Sequence, residues 1–342
     1  MKKAIVIFAA VILLTSCSVR QVNDGEIVMI LANDSTGVTV THLLSEKFIE
    51  LVEEKSEGSI KIQYYPGGQM GSDREILESC QAGDIDFAVQ MTSPQVNFVQ
   101  ELCVFDLPYV FNNAEVARNV FDGPFKEIIA EKYDNVQLKL LGYGDQGFRV
   151  MTANDPLYSL NDLKGVKIRT IENKYHMAFW KAVGANPTPM TWSEVLIGLQ
   201  QKTITAQENT YDLILSSKVY ELQQYIMNTD QILHILALIS SRDKFNSLSE
   251  DNQQIILEAA DEAIRWSRNL QDERMVTSRQ TIIDSGTEFV EVSWELKQEM
   301  KEKSAGVYDM ARKDVGDELV DALIRAVEEA EEELVAYEHK TD

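Results

Sequence analysis

Short apolar runs alternate with longer segments of helical periodicity from residue 26 onward. Residues 26–32, 60–66 and 84–90 are apolar runs of strand length. Residues 41–58 and 74–83 lie between these runs and place their apolar residues on one face of a helix. Strands that alternate with helices in this way form a mostly parallel sheet that is covered on both faces. The pattern therefore predicts an α/β fold.

The same alternation continues in the middle of the chain, and the last third is helical. Further strands are predicted at 136–143, 148–154, 166–170 and 204–209, and further helices at 175–184 and 193–202. Thr191 and Glu194 have the spacing of a capping box, which predicts the start of the second of these helices. Residues 249–286 form the longest periodic segment. A chain of 342 residues normally needs two cores, and because no low-complexity linker separates the α/β halves, we expect the chain to cross between them.

The first residues have the composition of a secretory signal. Lys2 and Lys3 precede an uncharged apolar run of eleven residues, 4–14, and small polar residues follow it. Eleven residues are too few to cross a bilayer, which needs about 20. This length disfavours the alternative of a permanent transmembrane anchor.

Residues 14–17, LTSC, resemble the lipobox of bacterial lipoproteins, in which the cysteine becomes the lipidated first residue. We therefore expect a signal peptide over 1–17, with Cys17 as the lipidation site, and a solvated tether over 18–25. The protein would then be exported and held by its lipid in the periplasm or at the outer face of the cytoplasmic membrane. The lipid would be its only attachment to that membrane.

Charge and cysteine content narrow the classes of partner. The formal net charge of -23 makes nucleic acid an unfavourable partner, because both molecules would be strongly negative. Much of the excess lies in runs such as 328–333, EEAEEE, which are typical of the solvated face of a helix. Cys80 and Cys103 have neither CxxC nor Cys/His spacing, and a disulfide between them stays open.

Motifs for catalysis or metal binding are missing from the sequence. It contains no G-x-S-x-G elbow, no H-E-x-x-H and no phosphate-binding loop. The histidines are scattered, without neighbours at metal-ligand spacing: His42, His176, His234 and His339. Asp84 and Asp86 form an acidic pair of a kind that composition alone produces in so acidic a chain. We therefore predict a protein that is not an enzyme and has no metal or cofactor.

Two arginines instead indicate binding of a small anion. Arg169 lies at the end of the predicted strand 166–170, and Arg149 at the start of 148–154. Open α/β sheets bind ligands at the carboxyl ends of their strands, so both guanidinium groups could reach one crevice. The planar guanidinium fork matches a carboxylate. Pairing of Arg169 with an acidic residue of the protein itself is an equally open alternative at this point.

Several ordered motifs then resemble the solute-binding subunits of tripartite ATP-independent periplasmic (TRAP) transporters. They are GFRVMT, LNDLKGVKIRT, VGANPTPMTWSEVLIGLQQ and AQEN, and earlier YYPGGQMGSDREILESCQAGDIDFAV and FDLPYVF. The resemblance implies two lobes of a periplasmic-binding-protein-like α/β fold, with crossing strands and a long helix that spans both lobes. We expect 26–146 with 235–274 in lobe 1, and 147–234 with 275–342, including the C-terminal helices, in lobe 2.

The same resemblance implies a ligand site. Arg169 matches the arginine that clamps the ligand carboxylate, Arg149 and Asn209 match positions that add hydrogen bonds, and Trp192 matches an aromatic wall of the pocket. Less regular positions are expected to set selectivity: Asp34, Asp73, Gln90, Met91 and Glu172. Acidic side chains near the clamp would repel a second carboxylate and accept hydrogen bonds from hydroxyl groups. We therefore expect a polyhydroxylated monoacid, such as a hexuronate or an aldonate.

Two departures from the family pattern qualify this expectation. Pro94 lies near the place where some sialic-acid-binding members carry an arginine, which disfavours sialic acid. Residues 229–231 read TDQ where the family usually has TNH, which leaves any network through that histidine in doubt.

The expected function is capture of an organic acid and its delivery to the small and large TRAP membrane subunits. Dicarboxylates and keto acids are alternative ligands. A binding lipoprotein of an ATP-driven transporter, a ligand sensor for a two-component system and an exported hydrolase are the alternative functions.

Overall fold

The computed structural model describes residues 26–35 and 37–341, with side chains as far as residue 336. The predicted signal peptide, Cys17 and the tether over 18–25 lie outside the described residues.

The strands form two separate sheets. They are β1 (Ile27–Ala32), β2 (Ile60–Tyr65), β3 (Phe87–Met91), β4 (Leu138–Phe148), β5 (Val150–Ala153), β6 (Lys167–Thr170), β7 (Asn186–Pro189), β8 (Ala206–Asn209), β9 (Tyr225–Met227), β10 (Leu233–Ser241) and β11 (Glu288–Val290). The first sheet has the order β2-β1-β3-β10-β4, and the second has the order β11-β9-β5-β8-β6-β7.

Helices cover both sheets. They are α1 (Val40–Lys55), α2 (Asp73–Ala82), α3 (Thr92–Gln95), α4 (Ala114–Asp122), α5 (Phe125–Asp134), α6 (Lys174–Ala182), α7 (Trp192–Gln200), α8 (Tyr211–Ser216), α9 (Arg242–Asn246), α10 (Glu250–Asp284), α11 (Trp294–Lys303), α12 (Ala305–Val315) and α13 (Asp317–Thr341). Short 3-10 turns occupy Gln100–Asp106, Leu160–Leu163 and Val219–Glu221. The α/β prediction is confirmed.

The first sheet is mixed, and this differs from the mostly parallel sheet that we expected. β1 pairs in parallel with β2 and β3, as the strand-helix alternation predicts. β10 then runs antiparallel between β3 and β4, with Leu236 opposite Met91 and Gly144. All nine residues of β10 are buried. Such a strand has no polar face, so its sequence lacks the alternation that would have identified it.

The chain crosses from one sheet to the other at two adjacent points. β4 belongs to the first sheet and β5 to the second, and Arg149 is the single residue between them. The return crossing connects β9 of the second sheet to β10 of the first through residues 228–232. The backbone N–H of Arg149 donates to the carbonyl of Ile232 at 2.9 Å, which ties the two crossings together. The expectation of crossing strands is confirmed.

The long helix α10 packs against both halves of the molecule. Its 35 residues extend over about 52 Å at 1.5 Å per residue. Near its start, Ile256 is buried in a cluster with Phe48 of α1 and Leu238 of β10. Near its end, Ile282 is buried in a cluster with Val150 of the second sheet. α10 is thus the helix that was expected to span both lobes.

The C-terminal helices extend the core across the predicted lobe boundary. α13 packs against α4 and α12, and Leu323 shares a buried cluster with Phe121 of α4 and Trp180 of α6. Asn112 Nδ2 donates to Glu331 Oε1 at 2.6 Å. Residues 317–336 were assigned to lobe 2 but contact α4, which was assigned to lobe 1. The expected lobe boundaries stay a prediction.

Two smaller expectations concern the cysteines and the membrane. Cys80 and Cys103 are buried free thiols, and burial raises the pKa of both. Across the residues that the structure describes, every helix is too short or too polar to cross a bilayer.

Candidate functional site

One cleft between the two sheets collects every candidate binding residue. Its volume is about 330 Å³. The first-sheet side contributes Asp34, Asp73, Gln90 and Met91, and the other side contributes Arg149, Arg169, Glu172, Trp192 and Asn209. The structure therefore brings together residues that are up to 175 positions apart in sequence. Their role in binding a ligand stays a prediction.

Arg169 carries a buried positive charge that faces this cleft. It is the third residue of β6, whose backbone lies between β7 and β8, and it is 3% exposed. Its Nε and Nη2 donate to the carbonyl of Met190 at 2.9 and 2.7 Å, which fixes the plane of the guanidinium and leaves Nη1 free. Among the described residues, no carboxylate oxygen lies within 4.0 Å of its nitrogens. Within the described residues, Arg169 therefore does not form the ion pair with the protein's own acidic residues that was the alternative.

Burial is the main influence on the charge of Arg169. It lowers the pKa to about 10, and the nearby charge of Arg149 acts in the same direction. The guanidinium stays protonated at neutral pH because that pKa lies well above 7. The cleft therefore holds a cation that is poorly solvated and has an unoccupied donor edge.

Trp192 forms the wall beside this cation. The guanidinium carbon of Arg169 lies 5.4 Å from the centroid of the indole ring, within the range of a cation–π contact. Trp192 is the first residue of α7, and its Nε1 donates to Ser217 Oγ at 3.3 Å. The predicted capping box is confirmed, since the backbone N–H of Thr191 donates to Glu194 Oε2 at 3.2 Å and the Thr191 side chain faces the backbone of Glu194. The cap and the Ser217 contact together hold the ring in place.

Arg149 is engaged mainly inside the protein. It is 1% exposed, and its Nε and Nη2 donate to the two carboxylate oxygens of Glu208 at 2.5 and 2.9 Å. Only Nη1 points toward the cleft, where it donates to Asn209 Oδ1 at 3.1 Å and His234 Nδ1 at 2.9 Å. Because its bidentate edge is occupied by Glu208, Arg149 cannot offer a second free fork to a ligand.

Asn209 presents a donor to the cleft as a result. Its Oδ1 accepts hydrogen bonds from Arg149 Nη1 and from the backbone N–H of Thr210 at 3.0 Å. These bonds fix the orientation of the amide, because an amide nitrogen could not accept them. The Nδ2 group is left to donate to an acceptor inside the cleft.

The opposite side of the cleft is rich in acceptors. Asp34 and Asp73 both line this side of the cleft. Both keep access to solvent through the cleft, yet protein atoms surround them, and this burial raises both pKa values. The neighbouring Asp34 raises the pKa of Asp73 further, while the charge of Arg169 lowers both. Simultaneous ionisation of the two carboxyl groups is therefore costly.

Gln90, Met91 and Glu172 complete the predicted set. Gln90 Nε2 donates to the carbonyl of Asp73 at 2.9 Å, and its Oε1 has no partner among the described residues. Met91 Sδ lies 3.6 Å from Arg149 Nη1. Glu172 is exposed at the mouth, where its carbonyl accepts a hydrogen bond from Asn97.

Sequence reasoning missed other lining residues, of which His234 is the most informative. It lies in the unassigned strand β10, and burial together with Arg149 lowers its pKa well below the ordinary value. The sequence held a weaker signal, since His234 is the one ionisable residue within the apolar run 232–239. Further missed lining residues are Thr39, Thr41, Asn97, Met190, Leu213 and Ser217.

Residues 229–231, which read TDQ where the family usually has TNH, have a defined structural role. Gln231 Nε2 donates to Glu208 Oε2 at 2.9 Å, and Thr229 Oγ1 donates to Gln231 Oε1 at 2.6 Å. Gln231 therefore supports the carboxylate that holds Arg149. Glutamine in the third position thus takes part in a hydrogen-bond network with Thr229 and Glu208.

Ser93, Asp106 and His176 are the nearest approach to a catalytic arrangement. His176 Nε2 lies 3.2 Å from Ser93 Oγ and 3.1 Å from Asp106 Oδ1. Ser93 hydrogen-bonds directly to Asp106, and all three side chains are at most 1% exposed. None of them lines the cleft. His176 is thus a buried, hydrogen-bonded residue outside the cleft.

Comparisons with known proteins agree with this geometry. The family model of DctP, bacterial extracellular solute-binding protein family 7, matches residues 32–314. The chain is 30% identical over 278 residues to the 2,3-diketo-L-gulonate-binding periplasmic protein YiaO of Escherichia coli, covering 80% of this chain and 84% of that protein. It is 30% identical over 289 residues to the C4-dicarboxylate-binding periplasmic protein DctP of Rhodobacter capsulatus, covering 83% and 86%.

Solved structures show the same architecture. The sugar acid binding protein DctPAm of Advenella mimigardefordensis, in complex with galactonate, has a TM-score of 0.86 at 27% identity, over 89% of this chain and 99% of that chain. A TRAP periplasmic solute-binding protein of Haemophilus influenzae with bound L-gulonate has a TM-score of 0.84 at 27% identity, over 89% and 100%. The matched family model, the relatives and the two-lobed architecture together show that this chain belongs to family 7 of the bacterial extracellular solute-binding proteins, the solute-binding proteins of TRAP transporters.

Proposed function

We propose that this protein captures a sugar acid, such as a hexuronate or an aldonate, and that Arg169 binds the carboxylate of the ligand. The observation that carries the proposal is the free donor edge of a buried guanidinium. Arg169 is 3% exposed, is anchored on the carbonyl of Met190, and has no carboxylate within 4.0 Å in the described part of the chain. A buried charge without a counter-ion is costly, so an anionic ligand gains free energy by pairing with it.

The neighbours of Arg169 complete a site for one carboxylate. Asn209 Nδ2 is free to donate, because Oδ1 of the same amide is held by Arg149. The indole of Trp192 packs beside the guanidinium and offers an apolar face to the carbon chain of a ligand. Arg149 acts through Asn209 and His234, since Glu208 occupies its fork.

The acceptor-rich side favours hydroxyl groups over a second carboxylate. Asp34, Asp73 and Gln90 present oxygen atoms that accept hydrogen bonds, and a ligand with several hydroxyl groups supplies the donors. A dicarboxylate would place its second negative charge near two carboxyl groups. A simple keto acid would lack the donors. The 2,3-diketo-L-gulonate-binding relative and the similar structures with galactonate and L-gulonate support this choice of class.

The remaining parts of the proposal concern location and partners. The protein is exported, is lipid-anchored at Cys17, and passes its ligand to the small and large TRAP membrane subunits. It acts by binding and release, without catalysis. Family membership supports the TRAP partners over an ATP-driven transporter or a sensor kinase.

A ligand panel tests the proposal. Thermal unfolding of the mature chain would be followed with D-glucuronate, D-galactonate and L-gulonate, and in parallel with succinate, pyruvate and sialic acid. A ligand at 100 times its dissociation constant adds about 2.7 kcal/mol to the free energy of unfolding. We expect a sugar acid to give the largest shift. A larger shift with succinate would assign the dicarboxylate alternative instead.

A further inference from the structure

His234 is a nearly buried imidazole that lines the cleft and keeps one of its nitrogens free. The residue is 6% exposed. Its Nδ1 lies 2.9 Å from Arg149 Nη1. Its Nε2 has no hydrogen-bond partner among the described residues and is not fully enclosed by protein atoms. One polar atom of His234 is therefore open to a ligand in the cleft.

A β-bulge sets the position of this side chain. The register of β10 against β4 shifts between Leu233 and Ile235. As a result, Gln146 and Gly147 of β4 both lie opposite His234. Gly147 has a φ of +80°, which glycine adopts without strain. Bulges are frequent next to functional sites, where they change the direction of a side chain. The strand pairing is thus irregular at the point where His234 meets the cleft.

The contact with Arg149 determines which nitrogen of His234 carries the hydrogen. A guanidinium offers only donors, so Nδ1 must be the acceptor. The neutral imidazole then carries its hydrogen on Nε2. A second hydrogen on Nδ1 would point at the N–H of Arg149, and burial together with the charge of Arg149 lowers the pKa of His234 well below its ordinary value. His234 therefore presents an uncharged donor to the cleft.

The same guanidinium nitrogen holds a second uncharged donor. Arg149 Nη1 also donates to Asn209 Oδ1 at 3.1 Å, which leaves Asn209 Nδ2 to the cleft. Because one nitrogen binds both side chains, the amide of Asn209 and the imidazole of His234 are neighbours on the cleft wall. The free edge of Arg169 adds the charged donor. The wall thus combines one cation with two neutral donors.

We propose that His234 is a further ligand-binding residue, and that its Nε2–H donates a hydrogen bond to the oxygen on the carbon next to the carboxylate of a sugar acid. The inference rests on the proposed function and deepens it, because it names a second group of the ligand that the site recognises. Arg169 and Asn209 supply donors for the carboxylate. An uncharged donor beside Asn209 suits the uncharged oxygen that follows the carboxylate along the ligand.

This donor makes the site selective for acids that carry an oxygen at that carbon. Aldonates have a hydroxyl group there, and hexuronates in their ring form have the ring oxygen, and both oxygens accept hydrogen bonds. An analogue without the oxygen leaves a nearly buried N–H unpaired. Such a loss weakens binding by about tenfold or more.

Calorimetric titration with D-galactonate and 2-deoxy-D-galactonate tests the inference on the mature chain and on His234→Asn. Asparagine can still accept from Arg149 but does not extend as far as Nε2. We expect the unaltered chain to bind D-galactonate at least about tenfold more tightly than the deoxy acid. In His234→Asn, the two affinities should agree within about threefold. His42→Asn, whose side chain lies outside the cleft, is the matched control and should keep the full ratio.

The ratio of the two affinities separates ligand contact from a purely structural role. A structural role of His234 would weaken both acids alike in His234→Asn and leave the ratio as it is in the unaltered chain. That result would overturn the inference, and so would equal binding of the two acids by the unaltered chain. Either result leaves the proposed function intact.

Nitrogen NMR of the histidine rings decides without a variant, which matters if His234→Asn does not fold. We expect the Nε2–H tautomer of His234 in the empty protein. Its Nε2–H signal should move downfield and exchange more slowly with water when D-galactonate, L-gulonate or D-glucuronate binds. An Nδ1–H tautomer, or a signal that binding leaves unchanged, would overturn the inference alone. If none of these acids binds, the proposed function fails, and the inference fails with it.

Discussion

Arg169 is a buried cation whose guanidinium is anchored on a main-chain carbonyl. A carbonyl orients the guanidinium without neutralising it, so the charge stays available to a ligand. Arg149 shows the opposite arrangement, because Glu208 neutralises it inside the protein. Two arginines that look equivalent in sequence are thus held differently: Arg169 keeps a donor edge toward the cleft, whereas Arg149 orients Asn209 and His234.

Arg169→Ala is expected to weaken sugar-acid binding by about 2 to 5 kcal/mol, because it removes one partner of a buried charge pair. Arg169→Lys should also bind poorly, since an ammonium cannot both hold the Met190 carbonyl and present a planar fork. Calorimetric titration measures both losses. Arg265→Ala, at an exposed helical ion pair, is the matched control and should bind normally. If Arg169→Ala binds with an affinity within threefold of the parent, Arg169 does not bind the carboxylate of the ligand.

Glu208→Gln is expected to lower the free energy of unfolding by about 3 to 5 kcal/mol, because it leaves Arg149 buried without a counter-charge. Denaturant unfolding measures this loss. Glu221→Gln breaks an exposed pair with Lys218 and should change stability by less than about 1 kcal/mol. Equal losses of stability in the two variants would show that the buried pair contributes no more to the free energy of unfolding than the exposed pair.

Individual elements show which structural signals the sequence contains. The capping box of α7 was predictable, because Thr191 and Glu194 interact within one turn. β10 was not predicted, because burial on both faces removes its alternation. β7 reads NPTP and β11 has three residues, so neither has a strand pattern. The pairing of Arg149 with Glu208 depends on the antiparallel register of β5 and β8, which no local pattern contains.

Thr191→Ala is expected to cost about 1 kcal/mol of stability through loss of the α7 cap. It should also weaken ligand binding, since Trp192 is the first residue of that helix and forms a wall of the cleft. Ser293→Ala removes the cap of α11, whose cap residue does not line the cleft, and is the matched control. It should lose similar stability at unchanged affinity. Thermal unfolding and calorimetric titration separate the two effects, and unchanged binding in Thr191→Ala would contradict the role of the helix start.

On the scale of the whole molecule, the negative net charge of the protein opposes the positive charge inside the cleft. The formal net charge is -23, while the cleft presents a cation to its ligand. The family and its two-sheet architecture could be anticipated from the ordered motifs around Arg169. The packing of α13 on α4 could not, because it joins the C-terminal helix to a helix in the first half of the chain through tertiary contacts alone.

The rate of association with a sugar acid is expected to rise with ionic strength, because salt screens the repulsion between the negative protein and its anionic ligand. Stopped-flow tryptophan fluorescence measures this rate. Glu332→Gln combined with Glu333→Gln removes two exposed charges of α13 and should reduce the salt effect. A rate that falls as salt is added would mean that attraction by the positive cleft outweighs repulsion by the negative surface as the ligand approaches.

The position of Arg149 at the single-residue junction of β4 and β5 has a mechanical consequence. If one sheet rotates relative to the other, torsion angles on either side of this residue must change, and its main-chain bond to Ile232 carries the motion to the return crossing. The same side chain holds Asn209 inside the cleft. Arg149 thus connects the crossing backbone to a side chain of the cleft, so a rotation of one sheet against the other would also displace Asn209.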